Sequence, residues 1–247
     1  MTEEKKEWFE NWFDSRYYPL LYNNRDEEEA SLFVSGLVQY LKPAAGSRIV
    51  DIACGEGRFA MQLESLGHEV IGIDLSEKRI EKAKEAENER LHFYVHDMRF
   101  PFYINYFDFA FNFFTSFGYF DTARDNHMAA HAFAAALKPG GTLVIDYFNE
   151  QYVEDRLVPA ETIEKEGVLF AIERAVKDHK IVKKISVTDE QGGQHHYQER
   201  VSAFELKDFT ALFEPEGLTL QECFGDYHLN AFDEKHSPRL IMVFKKQ

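Results

Sequence analysis

Apolar positions recur at helical spacing near the start of the chain and switch to short apolar runs from Arg48 onward. Over roughly Glu3 to Phe13, the residues Trp8, Phe9, Trp12 and Phe13 fall at i, i+1, i+4 and i+5, one side of a short helix that something must cover. A tyrosine-rich link with Tyr17, Tyr18 and Tyr22 follows. Phe33, Leu37, Tyr40 and Leu41 then space a second helix, which Lys42 and Pro43 end. The acidic run Asp26 to Glu29 lies in its first turn, where the helix dipole favours negative charge.

Beyond Arg48 the pattern predicts strands over Arg48–Ala53, Glu69–Ile73, Leu91–Val95, Phe107–Phe113 and Thr142–Phe148. Helical segments intervene: Phe59–Leu66, a charged helix capped by Ser76 and running to about Asn88, and an alanine-rich helix from Asp121 to Leu137, after which Lys138 to Gly141 turn the chain. Strands alternating with helices imply an α/β fold: a mostly parallel sheet with right-handed crossovers and helices on both faces. After Asn149 the alternation stops. Leu169–Val176, Ile181–Thr188 and His195–Phe204 read as an antiparallel β insertion, with a hairpin turn at Asp189–Gly193. A helix over Glu205–Phe213 and strands over Leu218–Phe224 and Arg239–Phe244 resume the main pattern. The chain thus divides into an N-terminal helical lid (1–45), a cofactor-binding core (46–150), the β insertion (151–204) and a C-terminal completion of the core sheet (205–247).

A chain of 247 residues, 45% hydrophobic, suits one main domain carrying an insertion. The formal charge of −15 sets a repulsive field against nucleic acid and argues against such a substrate. The N-terminus is charged where a secretory signal needs an apolar run, and no segment is long and apolar enough to span a bilayer. Two cysteines, Cys54 and Cys223, are too few for a disulfide framework and lack zinc-site spacing, so a cytoplasmic protein is expected.

The chemistry gathers at predicted strand ends. The strand at Ile49–Ala53 runs into Cys54, Gly55, Glu56 and Gly57 and then a helix, so backbone amides can face a ligand with no Cβ in the way. The turn also fits the G-x-G-x-x-A form of a dinucleotide site, which leaves a nicotinamide-dependent oxidoreductase open. Asp74 ends the second strand, placed to accept hydrogen bonds from a ribose diol, and Asp97 and Met98 end the third, placed for an adenine. Carboxylates at Asp51, Asp74 and Asp97 favour a cationic, diol-bearing ligand over a pyrophosphate. His127 and His131 stand at i, i+4 without a third ligand, and His195 and His196 alternate across a strand, so neither pair makes a metal site. Cys54 lacks an evident base and reads as a small buried thiol.

Together these residues resemble the class I S-adenosylmethionine-dependent methyltransferases from about Arg48 to the end of the chain. Asp51 to Gly57 match the D/E-x-G-x-G-x-G motif of that family, with Ala53 in place of its first glycine, and Leu137 to Gly141 match its Leu-Lys-Pro-Gly-Gly phrase. The resemblance implies a Rossmann-like sheet of seven strands with the last reversed, and a substrate-side insertion after strand five. It implies S-adenosyl-L-methionine as cofactor, with Asp51 and Gly55 at the methionine end, Asp74 on the ribose, Leu75, Asp97 and Met98 around the adenine, and Ala53, Cys54 and Gly57 also in the cofactor turn. Asn112 and Phe113 are expected against the cofactor, and Tyr17, Tyr18 and Tyr22 resemble an N-terminal lid over it, a tyrosine-rich link that could equally serve packing. Direct displacement needs mainly alignment of a nucleophile, so a general base is optional; Tyr17, Asp146 and Tyr147 are the candidates. The acceptor is expected to be a small molecule offering an O, N or C nucleophile, and the enzyme a monomer or homodimer, for which the Trp8 and Trp12 face offers a surface. A non-catalytic domain that keeps the cofactor is the remaining alternative.

Overall fold

The computed structural model describes residues 8–22 and 27–247. Three helices come first: α1 (Trp8–Phe13), α2 (Tyr17–Tyr22) and α3 (Glu27–Leu41). β1 (Arg48–Ile52), α4 (Arg58–Ser65), β2 (Glu69–Asp74), α5 (Glu77–Ala83) and β3 (Leu91–Val95) follow. Then come β4 (Phe107–Asn112), α6 (Ala123–Ala136), β5 (Leu137–Phe148) and α7 (Glu150–Asp155). The insertion supplies β6 (Ala160–Lys165), β7 (Val168–Lys177), β8 (Lys180–Thr188) and β9 (Gln194–Ser202). α8 (Leu206–Phe213), β10 (Leu218–Phe224) and β11 (Arg239–Lys246) complete the chain.

The main sheet has the order β10-β11-β5-β4-β1-β2-β3, and β11 pairs antiparallel with both neighbours. This is the expected seven-stranded sheet with its last strand reversed. Strand alternation sends side chains to two different cores. Val50 and Ile52 of β1 join Phe133 and Phe209 from α6 and α8, whereas Ile49 joins Phe33, Phe59 and Ile80 from α3, α4 and α5. The four antiparallel strands form a separate sheet, whose inner face buries Phe170, Ile172 and Ile185 against Trp12, Tyr17 and Leu21.

Several local expectations change. The tyrosine-rich link is a helix, α2, with Pro19 in its first turn, where a missing N–H costs nothing. The insertion has four strands rather than three: β6 escapes a periodicity reading because Ile163 is its one large apolar residue. Lys138 to Gly141 continue β5 rather than forming a turn, and the strand's register against β4 shifts between Phe107 and Phe109. Of the apolar side of α1, Phe9 packs against Phe120 and Trp12 lies beneath the insertion sheet, while Trp8 and Phe13 are half-buried. The expected helix start at Glu3 and the acidic residue Asp26 lie outside the described residues. Among the described residues no helix is long and apolar enough to cross a membrane.

Candidate active site

A cleft of about 300 Å³ opens at the carboxyl edge of β1, β2 and β4. Its floor is the turn after β1, where Ala53, Gly55 and Gly57 take left-handed φ values of 63°, 58° and 82°. An alanine there costs roughly 1–2 kcal/mol relative to ordinary backbone, which explains why the motif pattern carries glycine at that position. The two glycines differ in purpose. A Cβ on Gly55 would meet only the Arg79 side chain, at 3.4 Å, leaving its backbone open to a ligand, whereas a Cβ on Gly57 would lie 2.4 Å from the Phe93 ring. Gly57 therefore serves packing between α4 and β3, not ligand approach, and it does not line the cleft.

The three expected carboxylates do converge on the cleft, each in a different state. Asp51 is buried and its Oδ2 has no hydrogen-bond partner. Burial first, and the neighbouring Asp74 second, push its pKa up to about 7, with a backbone bond from Ala60 opposing them. Asp74 accepts the Gly55 and Ser76 amides, both at 2.9 Å, while burial raises its pKa. Asp97 is clamped by the Arg99 guanidinium, with Nη2 at 2.6 Å from Oδ2, so its charge is compensated before any ligand arrives. Leu75, Met98 and Phe113 line the apolar walls, and Cys54 lies in the turn with its thiol pKa raised well above normal by burial.

Other expected residues lie elsewhere. Asn112 is fully buried and donates from Nδ2 to the Ile52 carbonyl at 2.9 Å, stitching β4 to β1 beneath the cleft. Tyr22 donates to Glu199 at 2.6 Å and contacts Lys183; Trp12 Nε1 donates to the same carboxylate at 2.7 Å, so this network ties the N-terminal helices to the insertion. None of the three candidate bases lines the cleft. The Tyr17 hydroxyl lies 3.4 Å from Asp189, Tyr147 is fully buried with its hydroxyl donating to the Ser202 carbonyl, and Asp146 is fully buried in an ion pair with Arg239.

The cleft also has a roof that the motifs did not announce. Phe9, Phe13, Asp14 and Tyr18 from the N-terminal helices cover it, and Arg79 from α5 reaches between them, 4.6 Å from the Tyr18 ring centroid and 5.8 Å from that of Phe13. Asp14 accepts a hydrogen bond from Ser76 Oγ, which also caps α5 by accepting the Arg79 amide. The N-terminal lid and Tyr18 were expected from the sequence, whereas nothing in it marks Asp14 or Arg79 as part of the site.

Fold and site together define a class: an α/β enzyme that binds a nucleoside cofactor at the ligand edge of its sheet. An unpartnered buried carboxylate oxygen and a second carboxylate beside one glycine turn suit a cationic, diol-bearing group and oppose a pyrophosphate. Comparison with known proteins agrees. Residues 49–141 match the family described as a methyltransferase domain. The chain is similar to the dTDP-3-amino-3,4,6-trideoxy-alpha-D-glucopyranose N,N-dimethyltransferase of Streptomyces venezuelae, 26% identical over 215 residues that cover 83% of this chain and 89% of that protein. An S-adenosylmethionine-dependent methyltransferase structure from Clostridium acetobutylicum shares the fold with a TM-score of 0.79 at 18% identity, covering 96% of this chain and 98% of that one. The S-adenosylmethionine-bound amino pentose methyltransferase from Micromonospora echinaspora, involved in calicheamicin biosynthesis, does so at 0.70 and 18%, covering 99% and 100%. Residues 49–141 of this chain are thus a methyltransferase domain, set in a fold shared with S-adenosylmethionine-dependent methyltransferases.

Proposed function

We propose that the enzyme methylates an amine nitrogen of a small polar acceptor of the amino-sugar type. The observation that carries this reading is the extent of the likeness to the Streptomyces venezuelae enzyme, whose name specifies an amino sugar and which matches over 83% of this chain and 89% of its own length. The polar side chains that line the cleft suit an amine: Asp14 and Tyr18 stand in the roof, and Ser116 and Tyr119 in the segment after β4.

S-adenosylmethionine, when bound, supplies a methyl group already activated on a sulfonium. The chain's own work is then to hold and align. Asp51 and the turn at Ala53–Gly55 would hold the methionine end, Asp74 the ribose, and Leu75 and Met98 the adenine, with Asp97 and Arg99 bracing that wall. Phe9, Phe13 and Tyr18 exclude water above. An uncharged amine presents its lone pair without a base, which accords with the placement of Tyr17, Asp146 and Tyr147 away from the cleft. We also infer a cytoplasmic enzyme, monomeric or homodimeric and without a nucleic-acid substrate, on the charge of −15 and the two free cysteines.

The test is transfer from labelled S-adenosylmethionine to matched panels of free or nucleotide-linked amino sugars and their hydroxyl counterparts. Products carrying one or two additional methyl groups on nitrogen are expected. Label found on oxygen or carbon, or on none of the amines, overturns the amine reading.

A further inference from the structure

The reversed strand β11 begins where the parallel strands end, so its first residue, Arg239, arrives at the ligand edge of the sheet beside Asp146 of β5. Arg239 approaches Asp146 Oδ1 through Nη2 at 2.6 Å and Nε at 2.8 Å. The other oxygen, Oδ2, accepts the Phe114 amide at 2.8 Å and the Tyr227 hydroxyl at 3.2 Å. The Asp146 carbonyl accepts the Thr115 amide at 2.9 Å, and Arg239 Nη2 donates to Thr115 Oγ1 at 3.0 Å. Both amides of one dipeptide therefore end on a single aspartate, which one arginine holds in place.

That dipeptide is strained. Phe114 and Thr115 have φ values of 54° and 60°, consecutive left-handed positions at which a Cβ crowds its own backbone. Such conformations persist only where the surroundings over-determine them, and they cluster at ligand sites. Both residues line the cleft, between Phe113 and Ser116, and Phe114 stacks on Phe59 at 4.8 Å and 16°. A buried ion pair is poor evidence of stability by itself, because apolar residues of similar volume often serve a fold as well. Apolar residues could not receive the Phe114 amide.

We infer that the Asp146–Arg239 pair is a positioning device for the active site, holding Phe114 and Thr115 in left-handed backbone so that the segment 113–116 forms one wall of the cofactor cleft. Asp146, a candidate base from the sequence, acts through this wall and not on the reacting atoms. The inference concerns the shape of the cleft and holds for any acceptor.

The test combines hydrogen exchange of the 113–117 segment by mass spectrometry with calorimetric S-adenosylmethionine affinity. Arg239→Gln should accelerate exchange there by about tenfold or more while leaving β1 and β2 within about twofold. It should weaken cofactor binding by at least about fivefold. The decisive comparison adds Thr115→Gly or Thr115→Ala to that protein. Both remove the hydroxyl contact, but only glycine accepts the left-handed φ without strain. Glycine should restore most of the protection and affinity and alanine should not. If Arg239→Gln does not fold, Tyr227→Phe, which removes one bond to Oδ2, carries the same comparison at about threefold. Unchanged exchange in the 113–117 segment, or indistinguishable glycine and alanine proteins, overturns the inference. Failure of the unaltered protein to bind S-adenosylmethionine would instead strike at the cofactor assignment and leave the exchange result standing.

Discussion

Asp51 and Asp74 leave adjacent parallel strands and face one cleft, Asp74 with both oxygens bonded to backbone amides and Asp51 with an oxygen that has no partner. A cationic ligand that favours the ionised form of Asp51 must therefore bind in competition with a proton. With the carboxyl pKa at about 7, S-adenosylmethionine affinity should rise as pH increases to about 7 and level off above it, and Asp51→Asn should flatten the profile while weakening binding. Calorimetry between pH 5.5 and 8.5, a range of about three units centred on that value, checks this. A flat profile for the unaltered protein rules out Asp51 as the titrating contact.

The same carboxyl makes a stability prediction of opposite sense. Its folded pKa lies above the unfolded value of about 3.9, so the folded state holds the extra proton. Stability is then fully present below about pH 4 and falls as pH rises to about 7. Asp51→Asn should remove that fall, and be the more stable protein at pH 8 by roughly 1–3 kcal/mol in urea unfolding. The carboxyl whose burial opposes folding is the one with an unpartnered oxygen at the cleft.

Gly57→Ala places a methyl 2.4 Å from the Phe93 ring and adds left-handed strain, so a loss of roughly 3 kcal/mol or more is expected. Gly55→Ala meets only the flexible Arg79 side chain, at 3.4 Å, and should cost roughly 1–2 kcal/mol, from strain. The second substitution should lower cofactor affinity more than the first does in the folded protein. Thermal melts with and without S-adenosylmethionine separate the two effects.

Tyr147→Phe leaves the buried Ser202 carbonyl without its side-chain donor and should destabilise by about 1–3 kcal/mol. Gly118, whose missing Cβ would lie 2.4 Å from the Tyr147 hydroxyl, already fits tightly around that group. The pH profile of methyl transfer should keep its shape. A profile that loses a limb in Tyr147→Phe would return this tyrosine to the list of bases.

Ser76→Ala removes the α5 cap and the link to Asp14 together. A cap alone is worth about 0.5–2 kcal/mol. Release of S-adenosylhomocysteine should also accelerate, measured by stopped-flow displacement, because the roof loses a tie to the floor. Unchanged release would mean that Asp14 and Ser76 do not govern opening.

The strand order and the converging carboxylates were legible because both follow from repeating patterns: βα alternation fixes a parallel sheet, and residues just past parallel strands meet at one edge. What individual side chains do there was less legible. Asp146 and Tyr147 are consecutive on a strand buried on both faces, where no polar alternation tells which neighbour each meets. Gly57 and Gly55 look alike in the motif, and only the position of Phe93, a strand away, separates them. Arg79 and Asp14 became part of the site through tertiary contact between segments far apart in sequence. β6 carried too few apolar residues for its pairing with β7 to show.

Trp12, Tyr17 and Leu21 close a core of their own with the inner face of the insertion sheet, and Glu199 ties the same helices to it. The N-terminal helices thus have an anchorage in the insertion sheet beside the one that Phe9 makes in the main core. From that double anchorage Asp14 and Tyr18 reach Ser76 and Arg79 on the other side of the cleft. A change in the insertion sheet is therefore felt at the cleft through helices that the insertion itself holds in place.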